Sequence, residues 1–192
     1  FLPTWMVEKT REYGSEVSHL IFLGVEADNE GNLIWDTQSN KIKNEAYLRQ
    51  KKLISKSEGK NILGIKLFDD EKLKKLLMNG EARENLVKQI IETVKENDYD
   101  GVNVDFEFQN DPLAVLGEEF GIFLEELDLA QVGEISVDVF ANTVIKGSEE
   151  QLKSLIEKID YLVVMAYDFH RPGVNYAGPV APISSNPGER NI

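Results

Sequence analysis

The feature that most restricts this chain's fold is its rhythm. Short apolar runs alternate with longer amphipathic stretches, as repeated βα units and a parallel sheet require. Strands are expected at Leu20 to Ala27, Ile62 to Phe68, Gly101 to Phe108, Ile135 to Phe140 and Tyr161 to Tyr167, with Phe1 to Trp5 as the end of another. Between them, Leu86, Val87, Ile90, Ile91 and Val94 recur on one helical face. Asp111-Pro112 reads as an N-cap followed by proline at the first helical position, opening a helix to about Leu129. Ser148 with Gln151 three residues on forms a capping box ahead of Leu152, Leu155, Ile156 and Ile159. Glu8 to Val17 reads as a short helix, Asn29 to Asn32 as a turn and 171–192 as a long loop.

These steps predict an α/β fold, a (β/α)8 TIM barrel. A closed barrel needs eight units and typically about 250 residues; the 192 residues here provide for about six. Residues 1–192 are therefore read as one partial barrel domain, with strands seven and eight missing and the remainder expected in a longer protein. The 34 acidic against 21 basic side chains leave a net charge of -13, which repels phosphate backbones and anionic headgroups, so neither nucleic acid nor a membrane is an expected partner. No cysteine is present, which excludes disulfides, zinc-thiolate sites and a thiol nucleophile. His19 and His170 have no metal-ligand spacing, and no metal is expected. The chain starts at Phe1-Leu2-Pro3 without a signal peptide of its own, so an export signal would lie upstream.

The strand at Gly101 carries the chemistry. Val102, Val104, Phe106 and Phe108 alternate with Asn103, Asp105 and Glu107, so three polar groups share one face. A parallel strand covered by helices is normally apolar throughout, and carboxylates aimed into a barrel are unfavourable unless paired or protonated. That expense marks a site. The rival reading is an antiparallel edge strand with a solvated polar face. In the barrel reading, ionising one of Asp105 and Glu107 raises the pKa of the other and keeps a carboxylic acid near neutral pH. Glu107 lies toward the strand's C-terminal end, where barrel enzymes hold their catalytic groups, and proton donation to a leaving oxygen is its natural role. Ser136 and Asp138 would face inward from the next strand, Asp138 either as a site residue or as core filler. Lys66 would point inward to a carboxylate or snorkel from the strand end.

Asp100-Gly101-Val102-Asn103-Val104-Asp105-Phe106-Glu107 resembles the D-G-x-D-x-D-x-E signature of family 18 glycoside hydrolases, the chitinases and their relatives. Met165-Ala166-Tyr167-Asp168 is similar to the M-x-Y-D that ends their sixth strand. Phe169-His170, Gly178 to Pro182 and the opening Phe1 to Trp5 agree with it. The resemblance implies cleavage of β-1,4 bonds at N-acetylglucosamine, in chitin or chitooligosaccharides, by a retaining, substrate-assisted mechanism in which the sugar's acetamido oxygen is the nucleophile. No cofactor is implied. Glu107 would be the general acid, Asp105 would orient and stabilise the acetamido group, and Tyr167 would hydrogen-bond its oxygen. Asp168, Met165, Trp5, Asn103 and Asp138 would contribute to substrate binding, Trp5 as a stacking platform. Asp100 and Gly101 would be structural.

Three departures qualify this. Asn103 replaces the usual second aspartate and cannot exchange a proton with Asp105; the D-G-V-N-x-D-F-E variant occurs in a bacterial branch that includes hydrolases of spore or wall peptidoglycan. The third strand reads Gly64-Ile65-Lys66-Leu67-Phe68 instead of S-x-G-G. The last two strands, with the usual tryptophan platform, are missing. A peptidoglycan or spore-cortex N-acetylglucosaminidase, a non-catalytic glycan-binding relative and an inactive fragment therefore remain as rival readings. The family expectation for location is secretion or association with the cell wall.

Overall fold

The computed structural model describes residues 2–3, 17–34, 59–167, 178 and 180–181. Strands β1 (Leu2–Pro3), β2 (His19–Ala27), β3 (Leu33–Ile34), β4 (Lys60–Leu67), β5 (Gly101–Phe106), β6 (Glu134–Phe140) and β7 (Tyr161–Met165) form one sheet. All but β3 run parallel in the order β1-β2-β4-β5-β6-β7, and β3 folds back antiparallel on β2. With its helices this is a partial (β/α)8 barrel. β5 is paired on both sides and buried along its whole length. The edge-strand reading is thereby overturned.

The helices are α1 (Asp70–Met78), α2 (Gly80–Glu96), α3 (Glu118–Leu129), α4 (Ala141–Lys146) and α5 (Glu149–Ile156). The capping box at Ser148 forms as expected, and the Leu86 stripe lies on α2. Sequence reading overlooked α1, although Asp69 caps it by accepting from the amides of Glu71 and Lys72, both at 3.1 Å. Its buried residues Leu73, Leu76 and Leu77 have helical spacing. α4 and β3 were likewise unforeseen. The helix expected from Asp111 begins instead at Glu118. Residues Ala114–Leu116 form a 3-10 turn, and Gly117, with extended backbone (ψ 166°), separates it from α3. The helix expected at Glu8 lies outside the described residues.

Two expected strands end two residues early. β5 stops at Phe106 because Asp70, at the start of α1, accepts from the amides of Gln109 (2.9 Å) and Asn110 (3.0 Å) and so bends the chain from the sheet. β7 stops at Met165, where the Ala166 amide turns back to the Val164 carbonyl at 2.8 Å.

Even-numbered residues of β5 form the core with α3. Phe106 stacks on Phe123 (centroids 5.6 Å, planes 12° apart) and meets Phe120 edge-on at 6.2 Å. At the other end of the strand, Asp100 accepts from the Asn61 amide at 2.7 Å, and Asp160 accepts from Ile135 at 2.8 Å ahead of β7. The two aspartates use one device, a carboxylate before a strand gripping the start of its neighbour. Gly101 is required here because a Cβ would stand 2.1 Å from the Glu134 carbonyl oxygen.

Candidate active site

The odd-numbered face of β5 looks into the barrel. The register aligns Gly64, Asn103 and Ser136 in one row. One step higher, Glu26, Lys66 and Asp105 are successive partners, and Asp138 follows Val137, the partner of Val104. A charged row therefore crosses β2, β4, β5 and β6. Asn103 is 0% exposed, Asp138 3% and Asp105 7%. Asn103 Nδ2 donates to Ser136 Oγ and Asp138 Oδ1, both at 3.0 Å, and Asp105 shares a hydrogen bond with Asp138. Asp105 Oδ1 is buried without a hydrogen-bond partner among the described residues.

Glu26 reaches this row through an irregularity. The β2–β4 register slips between Leu23 and Val25, so Leu23 and Glu26, of opposite parity, both end beside inward positions of β4. Lys66 lies 3.3 Å from Glu26 and 5.5 Å from the centre of the Phe68 ring. Of the two readings of Lys66, the inward, paired one is correct, with Glu26 as its partner.

Burial, followed by the charges of Asp138 and Glu107, pushes Asp105 up to about 7, against the pull of Lys66. Burial also raises Asp138 to about 6, opposed by its bond from Asn103. Glu107, half-buried just above, is raised by burial and restrained by the Gln109 side chain and by Lys66. The expected crowding is real, but its main partner is lateral. Residues two apart on a strand are separated by roughly 6.5 Å, whereas adjacent strands lie about 4.8 Å apart. Asp138 therefore couples to Asp105 more strongly than Glu107 does.

This raised pair sets a pH dependence. Between the ordinary aspartate range and pH 7, the folded chain holds protons at Asp105 and Asp138 that the unfolded chain has lost, so the pair's contribution falls as pH rises from about 4 to 7 and then levels off. Urea midpoints taken at half-unit intervals are expected to decline over that window, and the decline should flatten in Asp105→Asn. A slope unchanged by that substitution would contradict the assignment.

The remaining expected site residues are more scattered. Met165, half-buried, is the register partner of Phe140 on the Asp138 side of β6. Tyr167 is two residues beyond β7 and 54% exposed at the mouth. Trp5 and Asp168 lie outside the described residues, as does His170. Sequence reading missed Glu26, hidden by the register slip, and Asp70, whose contacts with Gln109 and Asn110 fix the segment after Glu107. It also gave Phe68 no role. That ring is half-exposed beside an open cleft of about 370 Å³ lined with Asp70, Lys74, Gln109 and Asn110.

Comparison with known proteins agrees with this fold. The family described as Glycosyl hydrolases family 18 matches residues 3–192. The Bacillus subtilis (strain 168) protein named "Putative sporulation-specific glycosylase YdhD" is 32% identical over 123 residues, 61% of this chain and 28% of that protein. The Ostrinia furnacalis Group IV chitinase in complex with allosamidin has the same fold at a TM-score of 0.71 and 19% identity, covering 90% of this chain and 49% of that one. The Bacillus cereus spore cortex-lytic enzyme SleL matches at 0.63 and 21%, covering 92% and 40%. The chain thus spans half or less of each of these proteins.

Proposed function

The chain belongs to glycosyl hydrolases family 18, and from that premise we propose that its buried acidic row cleaves β-1,4 bonds at N-acetylglucosamine, with retention and with the substrate's acetamido oxygen as nucleophile. The observation carrying this reading is a stack of acids with graded burial. Glu107 at the strand end is half-buried with a raised pKa, and Asp105 beneath it presents a buried, unpartnered carboxyl oxygen.

In this mechanism Glu107 gives its proton to the departing glycosidic oxygen and, as the carboxylate, later takes one from the attacking water. Asp105 accepts from the acetamido N–H and, ionised, stabilises the positive charge that develops there. Tyr167 donates to the acetamido oxygen from the mouth. Met165, with Trp5 and Asp168, shapes the sugar site, and the half-exposed Phe68 ring offers a stacking face. Asn103 donates to Asp138, which stands beside Asp105 on the neighbouring strand.

A second substrate is favoured by Asn103 and by the likeness to a sporulation-specific glycosylase: glycan strands of spore or wall peptidoglycan, which would place the protein outside the cell or in its wall. Release of chromophore from a chitobioside, compared with reducing-end release from purified spore peptidoglycan, tests both. Hydrolysis of the chitobioside or of both substrates supports the general reading. Release from peptidoglycan alone selects the second, and cleavage of neither refutes the proposal.

A further inference from the structure

Asp105 and Asp138 form a buried carboxyl pair on adjacent strands, and no proton-transfer step in the reaction outlined above uses Asp138. We propose that Asp138 is the proton store of the reaction, a positioning residue that takes the Asp105 proton when the acetamido nitrogen becomes positive and returns it when that charge is lost. This rests on the proposed function.

The geometry makes Asp138 suited to the role. It is 3% exposed, hydrogen-bonded with Asp105, and held in orientation by Asn103 Nδ2, 3.0 Å from its Oδ1. Val163, its register partner on β7, is apolar, so no titratable group stands directly opposite it on that strand. The charged groups acting on the pair are Glu107 on both members and Lys66 on Asp105. Glu26 neutralises Lys66 from β2. Two buried carboxylates this close cannot both ionise readily, so one proton serves the pair. The Asp105 and Asp138 values of about 7 and about 6 are close enough for transfer in either direction.

The steps balance. In the first, the acetamido oxygen bonds to the anomeric carbon while the glycosidic bond breaks, its electron pair going to the leaving oxygen, which takes the Glu107 proton. The nitrogen becomes positive, and the Asp105 proton passes to Asp138, leaving a carboxylate beside the new charge. In the second, water attacks the anomeric carbon and loses a proton to Glu107. The acetamido group becomes neutral again, and the proton returns from Asp138 to Asp105.

The test is D138N, read by carboxyl carbon NMR on ¹³C-aspartate-labelled protein and by steady-state cleavage of a chromogenic chitobioside. An asparagine amide donates to Asp105 and removes the neighbouring charge, so the Asp105 titration is expected to fall by about one pH unit or more. With no group to receive the proton, kcat is expected to drop about tenfold or more, with KM little changed. In the double variant N103D/D138N, a carboxylate returns two residues below Asp105 on the same face, and both the titration near neutrality and the rate are expected to recover. This variant keeps the question open to refutation if D138N alone folds poorly. A folded D138N whose Asp105 still titrates near 7 overturns the pairing, and a shifted titration with unchanged kcat overturns the proton store. The NMR arm needs no substrate, so a wild-type chain that shows the pair but cleaves no glycan refutes the proposed function and the store together, while leaving the pair standing.

Discussion

Glu107→Gln is expected to lower kcat on N-acetylglucosamine oligomers by about 10²–10⁴-fold, the usual contribution of a positioned general acid, while leaving KM and the fold nearly unchanged. Glutamine preserves the shape of the side chain and its ability to bond with Gln109, but it cannot release a proton, so the leaving sugar would depart as an alkoxide. The site does not need this carboxyl for stability. Burial raises its pKa, which means that the ionised form is disfavoured in the folded chain. A melting temperature at or slightly above that of the parent is therefore expected. Steady-state kinetics with a thermal melt separate the outcomes: a folded variant within about twofold of the parent rate would remove Glu107 from the mechanism, whereas an unfolded one would contradict the burial argument.

The largest structural effect is expected from Phe123→Ala. Phe123 is fully buried on α3, stacked on Phe106 at 5.6 Å and tilted against Phe120 at 6.3 Å. Removing it deletes the stacked contact of α3 on β5, leaving only the edge-on one from Phe120, and opens a cavity, at a cost of about 3–5 kcal/mol. Against a typical total of about 5–15 kcal/mol, that is enough to leave a substantial unfolded population. Phe106 sits between Asp105 and Glu107, so the loosened ring also relaxes the two carboxyls that the proposed chemistry needs in register. Urea unfolding followed by circular dichroism is the measurement. A loss below about 1 kcal/mol would mean that α3 does not rest on this strand.

The parts of the fold legible in the sequence were those fixed by local pattern. Strand starts were read to within about two residues because an apolar run begins where the barrel wall begins. Strand ends matched for β2 and β6 but ran two residues long for β5 and β7. β5 halts at Phe106 through hydrogen bonds accepted by Asp70, 39 and 40 residues upstream of its donors, and no local pattern carries such a contact. The α1 helix was written plainly enough in Leu73, Leu76 and Leu77 but lay within a dense run of charge. At the site, simple alternation found the inward face of β5 and, on β6, Asp138. It could not find the lateral bond between Asp105 and Asp138, which arises only when two strands more than thirty residues apart come into register.

The extra residue in β2 makes the lining of the barrel depend on counting as well as on chemistry. Glu26 faces Lys66 only because one position between Leu23 and Val25 is spent without advancing the pairing. An alignment that opens or closes a gap there would assign the acid to the outer wall and leave the lysine without its counterion. Homologues compared across this kink need to be matched by pairing partner, since column identity alone would swap inside for outside.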